Sequence, residues 1–443
     1  MQSANESSAV PPLQGATPAA VAGPAPGARK ALMLLLAINL FNYVDRYILA
    51  AVEKPIRDEF GVSKEAMGWL VTAFLLTYMV VSPIFGWLAD RYSRWVLVGI
   101  GVILWSLASG ASGLAQTYLF LLFMRCLIGV GEGAYGPVAP TLISDMYPVA
   151  IRGKVLAWFY AAIPVGSALG FIVGGLFASA DHWHWAFLIT IPPGVLLGIF
   201  CFRMKEPPRG LSDRAVPSRK ARGSDYLTLL KTPSYVLNCL GMTAMTFAIG
   251  GIAFWMPGYL IEERGVSEGT ASMAFGGIVV VAGLLATISG GMAGDALRAR
   301  GWGGAYFIVS AAGMTLGFPL MLALLYVDFP YAWGVLFLAV FCLFFNTGPS
   351  NTALANVTHP SVRATAYAIN IFVVHALGDA ISPPIIGMIA DRYSLKAGFI
   401  FVSGAIVVGA ILWAWASLYL KRDTERAPHL LDGDAGLPAT ARP

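Results

Sequence analysis

The chain has 443 residues, 57% of them hydrophobic and only 12% charged, with a mean hydropathy of +0.69. A soluble domain is nearer half apolar and a quarter charged, so the composition excludes a single soluble domain, a disordered chain and a nucleic-acid binder. The formal net charge of +5 matters less than where its charges sit.

The first 28 residues hold 16 Ala, Pro and Gly. They lack both the basic start and the apolar core of a secretory signal peptide, and read as a disordered tail. Twelve apolar stretches follow, each near the 20 or so residues that cross a bilayer as helix. They cover 31–51, 67–89, 95–114, 119–141, 155–178 and 186–204, then 233–260, 270–293, 303–325, 331–352, 364–389 and 397–420. The alternating ten-residue strands of a β-barrel are absent. The expected fold is an all-α membrane protein of two pseudo-symmetric six-helix bundles. Its boundaries are 1–28 (tail), 29–204 (first bundle), 205–231 (polar central loop), 232–420 (second bundle) and 421–443 (tail).

Lys and Arg in the loops set orientation. With the N-terminus inside, 21 basic residues fall in inside segments and six outside: Lys54, Arg57, Lys64, Arg264, Arg392 and Lys396. This places both termini and the central loop in the cytoplasm of a multi-pass inner-membrane protein. The four cysteines (Cys126, Cys201, Cys239, Cys342) lie far apart with no CxxC pair, so neither a disulfide framework nor a metal site is expected. No cofactor is expected, and His182-Trp183-His184-Trp185 offers too few ligands for a metal.

Five charges fall inside the spans: Asp45, Arg46, Arg125, Glu132 and Asp379, with His375 a softer sixth. A charge at the bilayer centre costs roughly 2.5–3.5 kcal/mol on insertion scales, so each needs a reason. Arg125 and Glu132 are seven apart, close to two helical turns, and face the same way. Asp45 and Arg46 diverge by about 100°. Opposite signs on the first and fourth spans predict cross-helix pairs, Asp45 with Arg125 or Arg46 with Glu132. His375 and Asp379, four apart, share a helix face. Pro164, Gly166, Gly170, Gly174 and Gly175 crowd the fifth span, at spacings that let helices approach closely.

After the second span the chain reads Gly86-Trp-Leu-Ala-Asp90-Arg91-Tyr-Ser-Arg94, and after the eighth Gly291-Met-Ala-Gly-Asp295-Ala-Leu-Arg298. The fourth and fifth spans join through Pro148 and Arg152, the tenth and eleventh through Pro360 and Arg363. The halves therefore look duplicated. Gly387 to Ser394 repeats the first string on the outside. Gly86, Asp90, Arg91, Arg94, Arg152 and Asp295 are the candidate conformational lock.

This plan resembles the major facilitator superfamily over essentially the whole chain, which implies halves rocking about a central cavity. More specific strings resemble the spinster family. They are Asn42-Tyr43-Val-Asp45-Arg46; Arg125 through Glu132, Pro137 and Pro140; Phe159 to Ser167; Asn346-Thr-Gly-Pro349; and His375 to Pro383. The resemblance implies a transporter of lipid amphiphiles such as sphingosine 1-phosphate or lysophospholipids. It implies proton coupling at Asp45 and Glu132, with Arg46, Arg125, Asn42, Tyr43, His375, Asp379 and Asn346 as substrate or ion-pair residues. The expected partners are protons, an amphiphilic or anionic substrate and membrane lipids, without nucleic acid, acting as a monomer and by antiport. Alternatives are a carrier of small organic anions held by Arg46 and Arg125, a channel, or an integral membrane enzyme. For the last, neither a nucleophile–base pair nor metal-ligand spacing is present.

Overall fold

The computed structural model describes residues 23–179, 181–208, 227–359 and 362–427. Every regular element among them is helical. In chain order the first half contains α1 (Ala28–Ala51), α2 (Glu53–Phe60), α3 (Lys64–Ala89), α4 (Arg94–Ser112), α5 (Tyr118–Gly133), α6 (Ala139–Met146), α7 (Val149–Leu176), α8 (Trp183–Leu188) and α9 (Ile191–Cys201). The second contains α10 (Leu227–Leu230), α11 (Pro233–Glu262), α12 (Glu268–Ala299), α13 (Ala305–Leu324), α14 (Tyr331–Phe344), α15 (Thr347–Asn356), α16 (Arg363–Val374), a π-helical turn His375–Asp379, α17 (Ser382–Arg392), α18 (Leu395–Ala416) and α19 (Leu420–Arg426).

Eleven segments are long and apolar enough to cross a membrane. The other crossing, the fourth, is the α5–α6 pair. Its sequence Gly131-Glu-Gly-Ala-Tyr-Gly-Pro137 cannot sustain one helix, and the chain turns through residues 134–138. The expected six-plus-six plan holds, with this span broken. Leu119, Val80, Leu176 and Leu418 expose 66–76% of their surface on the outer girdle, as a hydrocarbon solvent permits. Beyond α18 the chain continues as α19, in which Leu420 and Asp423 are buried. Most of the central loop and of both tails lies outside the described residues.

Local chemistry explains the helix ends. Ser63, Thr117 and Ser394 cap α3, α5 and α18 with their side-chain oxygens, each satisfying an otherwise orphaned N–H. Gly61, Gly265 and Gly301 adopt positive φ where the chain reverses. The glycines of α7 serve close packing. A Cβ at Gly166 would lie 2.4 Å from the Leu40 carbonyl oxygen, and one at Gly170 2.6 Å from that of Val44. Thus α1 rests backbone to backbone on α7.

The first and last described residues and the described flanks of the central loop lie on one face, here the terminal face. On the opposite face the halves touch. A Cβ at Gly68 of α3 would collide with Pro384 of α17 at 2.4 Å, and one at Gly276 of α12 would lie 2.7 Å from Phe171 of α7. Toward the terminal face, Gly86 of α3 and Gly291 of α12 have open space where a Cβ would stand. The halves are packed together on the opposite face, and toward the terminal face Gly86 and Gly291 are uncovered.

Candidate functional site

Between the halves lies a cavity of about 210 Å³ whose walls include Tyr43, Arg46, Phe74, Arg125, His375 and Asp379. α1 and α5 supply the charges. Arg46 donates from Nε to Oε2 of Glu132 at 2.7 Å, and its Nη2 lies 2.6 Å from the same oxygen. The guanidinium sits 4.9 Å from the Phe74 ring centre and 5.0 Å from that of Tyr43, a second source of attraction for the cation. Of the two predicted pairs, Arg46–Glu132 is formed.

Asp45 behaves differently. It is 1% exposed, and its Oδ1 accepts a hydrogen bond from Ser109 of α4 at 3.2 Å rather than from Arg125. The one-residue offset along α1 turns it toward α4 while Arg46 faces the cavity. Arg125 stands over the Phe74 ring at 5.5 Å. Its Nε and Nη1, Oδ2 of Asp45, Oε1 of Glu132 and Nδ2 of Asn42 are buried without a hydrogen-bond partner among the described residues. Such a concentration of unsatisfied polar atoms is costly in a finished core and marks a place where another group belongs.

Across the cavity, His375 Nδ1 lies 2.9 Å from Oδ1 of Asp379. The two side chains are 30% and 22% exposed. They bracket the π-helical turn, a distortion frequent at functional sites. Asn346 is not brought to the cavity. It is fully buried at the α14–α15 break, where its amide donates to the Leu343 carbonyl at 2.6 Å. Its Oδ1 is buried without a hydrogen-bond partner among the described residues.

The described candidate lock residues lie toward the terminal face. Arg94 is buried and reaches Asp145 of α6 at 2.6 Å, Glu206 at 2.7 Å and the Pro207 carbonyl at 3.1 Å. Arg91 folds back over Trp87, Asp90 and Gly86 line a neighbouring cleft, and Asp295 accepts from Tyr306. The Arg152 side chain lies outside the described residues. Sequence reasoning missed Asp145 and Glu206. The available signal was the excess of cations in the Gly86–Arg94 turn, which called for carboxylates nearby.

The model of the Major Facilitator Superfamily matches residues 35–383. Spinster homolog 1 of Xenopus tropicalis is 34% identical over 431 residues, covering 89% of this chain and 82% of that protein. The chain belongs to the major facilitator superfamily and, within it, to the spinster family. The sphingosine-1-phosphate transporter SPNS2 of Danio rerio is 32% identical over 442 residues, covering 91% and 87%. Among solved structures, a bacterial homolog of the human lysosomal transporter spinster, inward-facing and occupied, superposes with a TM-score of 0.80. It shares 20% identity, over 90% of this chain and 99% of that one. The protein is thus a multi-pass membrane transporter with the all-α major facilitator fold.

Proposed function

We propose that this transporter is a proton-coupled carrier of a lipid-like amphiphile with an anionic head, of the lysophospholipid or sphingoid type. The observation that carries the reading is the buried guanidinium of Arg125, with two unpartnered nitrogens, beside Arg46 in the central cavity. Two arginines offer the forked donors that suit a phosphate. A second, apolar recess lined by Phe171, Ile249, Phe275 and Phe344 shares Tyr47 and Ala253 with the cavity. At about 30 Å³ this recess marks where an apolar chain would enter beside the head and does not hold the chain in this state. The sphingosine-1-phosphate transporter among the relatives is consistent with this assignment.

In the mechanism, the substrate head competes with Glu132 for Arg46. A carboxylate released from its arginine takes a proton, and the proton leaves when the pair re-forms. Asp45 is the second proton site, and Asp90 and Asp295 bias the rocking equilibrium without touching substrate. Head and proton therefore load together, and alternating access carries both in the same direction, with the terminal face cytoplasmic in the cell membrane and the monomer as the working unit. The test is uptake by purified protein in liposomes under an imposed pH gradient, with a lysophospholipid and a tail-less sugar acid compared. Saturable, gradient-dependent flux of the lysophospholipid supports the reading. A preference for the sugar acid would reassign the arginines to small organic anions, and flux indifferent to the gradient would remove the proton.

A further inference from the structure

The string Gly86-Trp-Leu-Ala-Asp90-Arg-Tyr-Ser93 recurs as Gly387-Met-Ile-Ala-Asp391-Arg-Tyr-Ser394, matching at six of eight positions. The copies stand at opposite ends of the molecule. The first closes α3 at the terminal face. The second closes α17 at the opposite face, where orientation rules gave it no task. In the structure it has a partner. Oδ1 of Asp391 accepts from the Lys64 backbone N–H at 2.9 Å, and Oδ2 accepts from that of Glu65 at 2.9 Å.

These are the first two N–H groups of α3, a helix of the other half. Helix starts leave four N–H groups without intrahelical partners. Ser63, the local cap, takes that of Ala66. Asp391 takes two of the three that the local cap leaves. A carboxylate there is favoured twice, by charge-assisted hydrogen bonds and by the positive end of the helix dipole.

The surrounding seam is built for this approach. A Cβ on Gly387 would lie 2.5 Å from the Lys64 carbonyl oxygen and 2.7 Å from the Glu65 nitrogen. Farther along, Gly68 meets Pro384 and the Thr72 hydroxyl donates to the Ala380 carbonyl. The end of α3 that carries the first copy of the string has open space beside Gly86. Rocking that opens the opposite face must withdraw Asp391 and leave both N–H groups to water.

We infer that Asp391 is a clasp between the halves, a positioning residue that holds the face opposite the termini shut by capping α3 from the other bundle. The inference depends on rocking halves and not on the substrate, so its test needs no transported ligand. The full chain, with its four native cysteines replaced by serine, is reconstituted in lipid. Spin labels are placed at Leu114→Cys and Tyr331→Cys, positions 62% and 76% exposed on that face in different halves. A second pair, Phe202→Cys and Trp302→Cys, reports the terminal face.

In Asp391→Ala the long-distance population of the first pair should rise about threefold or more, the effect of losing a helix cap, while the second pair shortens. Asp391→Asn keeps the size but sets an NH₂ group against one of the two N–H donors. It should shift both pairs the same way by less, and it carries the test alone where the alanine variant does not fold. An unchanged distribution in either folded variant would overturn the clasp.

Discussion

The fourth and tenth spans hold equivalent places in the two halves, and both are broken helices. In the tenth, α14 gives way to α15 around Asn346, which seals the break with a hydrogen bond to Leu343. In the fourth, α5 gives way to α6 through residues 134–138, with Arg125 and Glu132 just before the break. The scaffold is shared and the charge is not. A broken helix at this position is therefore part of the architecture, whereas the Arg46–Glu132 pair belongs to the first half's own chemistry. The second half contributes His375 and Asp379, paired to each other across a π-helical turn. In the proposed mechanism the first half carries both the proton sites and the arginines that hold the substrate head, and the second half adds His375 and Asp379 to the facing wall.

The largest expected effect comes from Asp45. Asp45→Asn should abolish pH-driven uptake in liposomes while leaving the purified protein monodisperse. The carboxylate is 1% exposed and accepts from Ser109 through one oxygen, so an amide can replace it without creating a void. Full gradient-driven flux in this variant would make Asp45 a packing residue and break the division between the halves.

Next is the ion pair. Glu132→Leu leaves the Arg46 guanidinium without its carboxylate and should cost about 3 kcal/mol of stability. The double variant Arg46→Met/Glu132→Leu should recover most of that loss in thermal unfolding, because two apolar groups replace a buried pair without an orphaned charge. It should not transport. A double variant that both folds and transports would reduce the pair to a fastener between α1 and α5.

Much of this division was legible in the sequence. Span lengths follow from apolar runs, the duplication from Gly86–Arg94 and Gly291–Arg298, and the Arg46–Glu132 pair from opposite signs on the first and fourth spans. What stayed hidden depends on which helix ends meet in space. The quoted string Gly131 to Pro137 held the break, yet periodicity over so short a stretch does not separate a turn from a glycine-rich helix. Asn346 was named by resemblance, and its hydrogen bond to the Leu343 carbonyl became visible only in the packing at the α14–α15 break. Arg94 called for carboxylates, but Asp145 and Glu206 lie 51 and 112 residues away. No spacing rule connects them. Asp391 was visible as a repeated string, and its use required knowing that α3 begins beside it.

The second half's role is sharpened by Asp379→Asn. The carboxylate faces the cavity beside His375. Losing a charged hydrogen-bonding group should raise KM about tenfold while uptake still follows the pH gradient. Retained affinity with lost gradient dependence would move coupling into the second half and invert the comparison.

The smallest effect concerns the rim of the first half. Glu53 opens α2, is 2% exposed and accepts from Nε of Arg57 at 2.8 Å. Arg57 in turn pairs with Glu262 of α11, which also meets Lys64 at 3.0 Å. Oε2 of Glu53 is buried without a hydrogen-bond partner among the described residues and lies 3.3 Å from where a Cβ on Gly258 of α11 would stand. Burial pushes the Glu53 carboxyl up to about 7, with Glu262 adding to the rise and Arg57 and Lys64 opposing it. That burial exists while the face opposite the termini is shut. When the face opens, water returns and the carboxyl falls back toward its ordinary range. The shut state thus binds a proton that the open state releases. By linkage it gains as pH falls through about 7 and loses as pH rises above it. The Leu114→Cys/Tyr331→Cys distance should therefore lengthen in a modest fraction of molecules as pH is raised across that value. Glu53→Gln, which is neutral at every pH, should flatten this dependence and favour the shut state. If the distance distribution of Glu53→Gln follows pH as the parent does, the rim carboxyl has no part in gating, and ionisable control of the first half ends at Asp45 and Glu132.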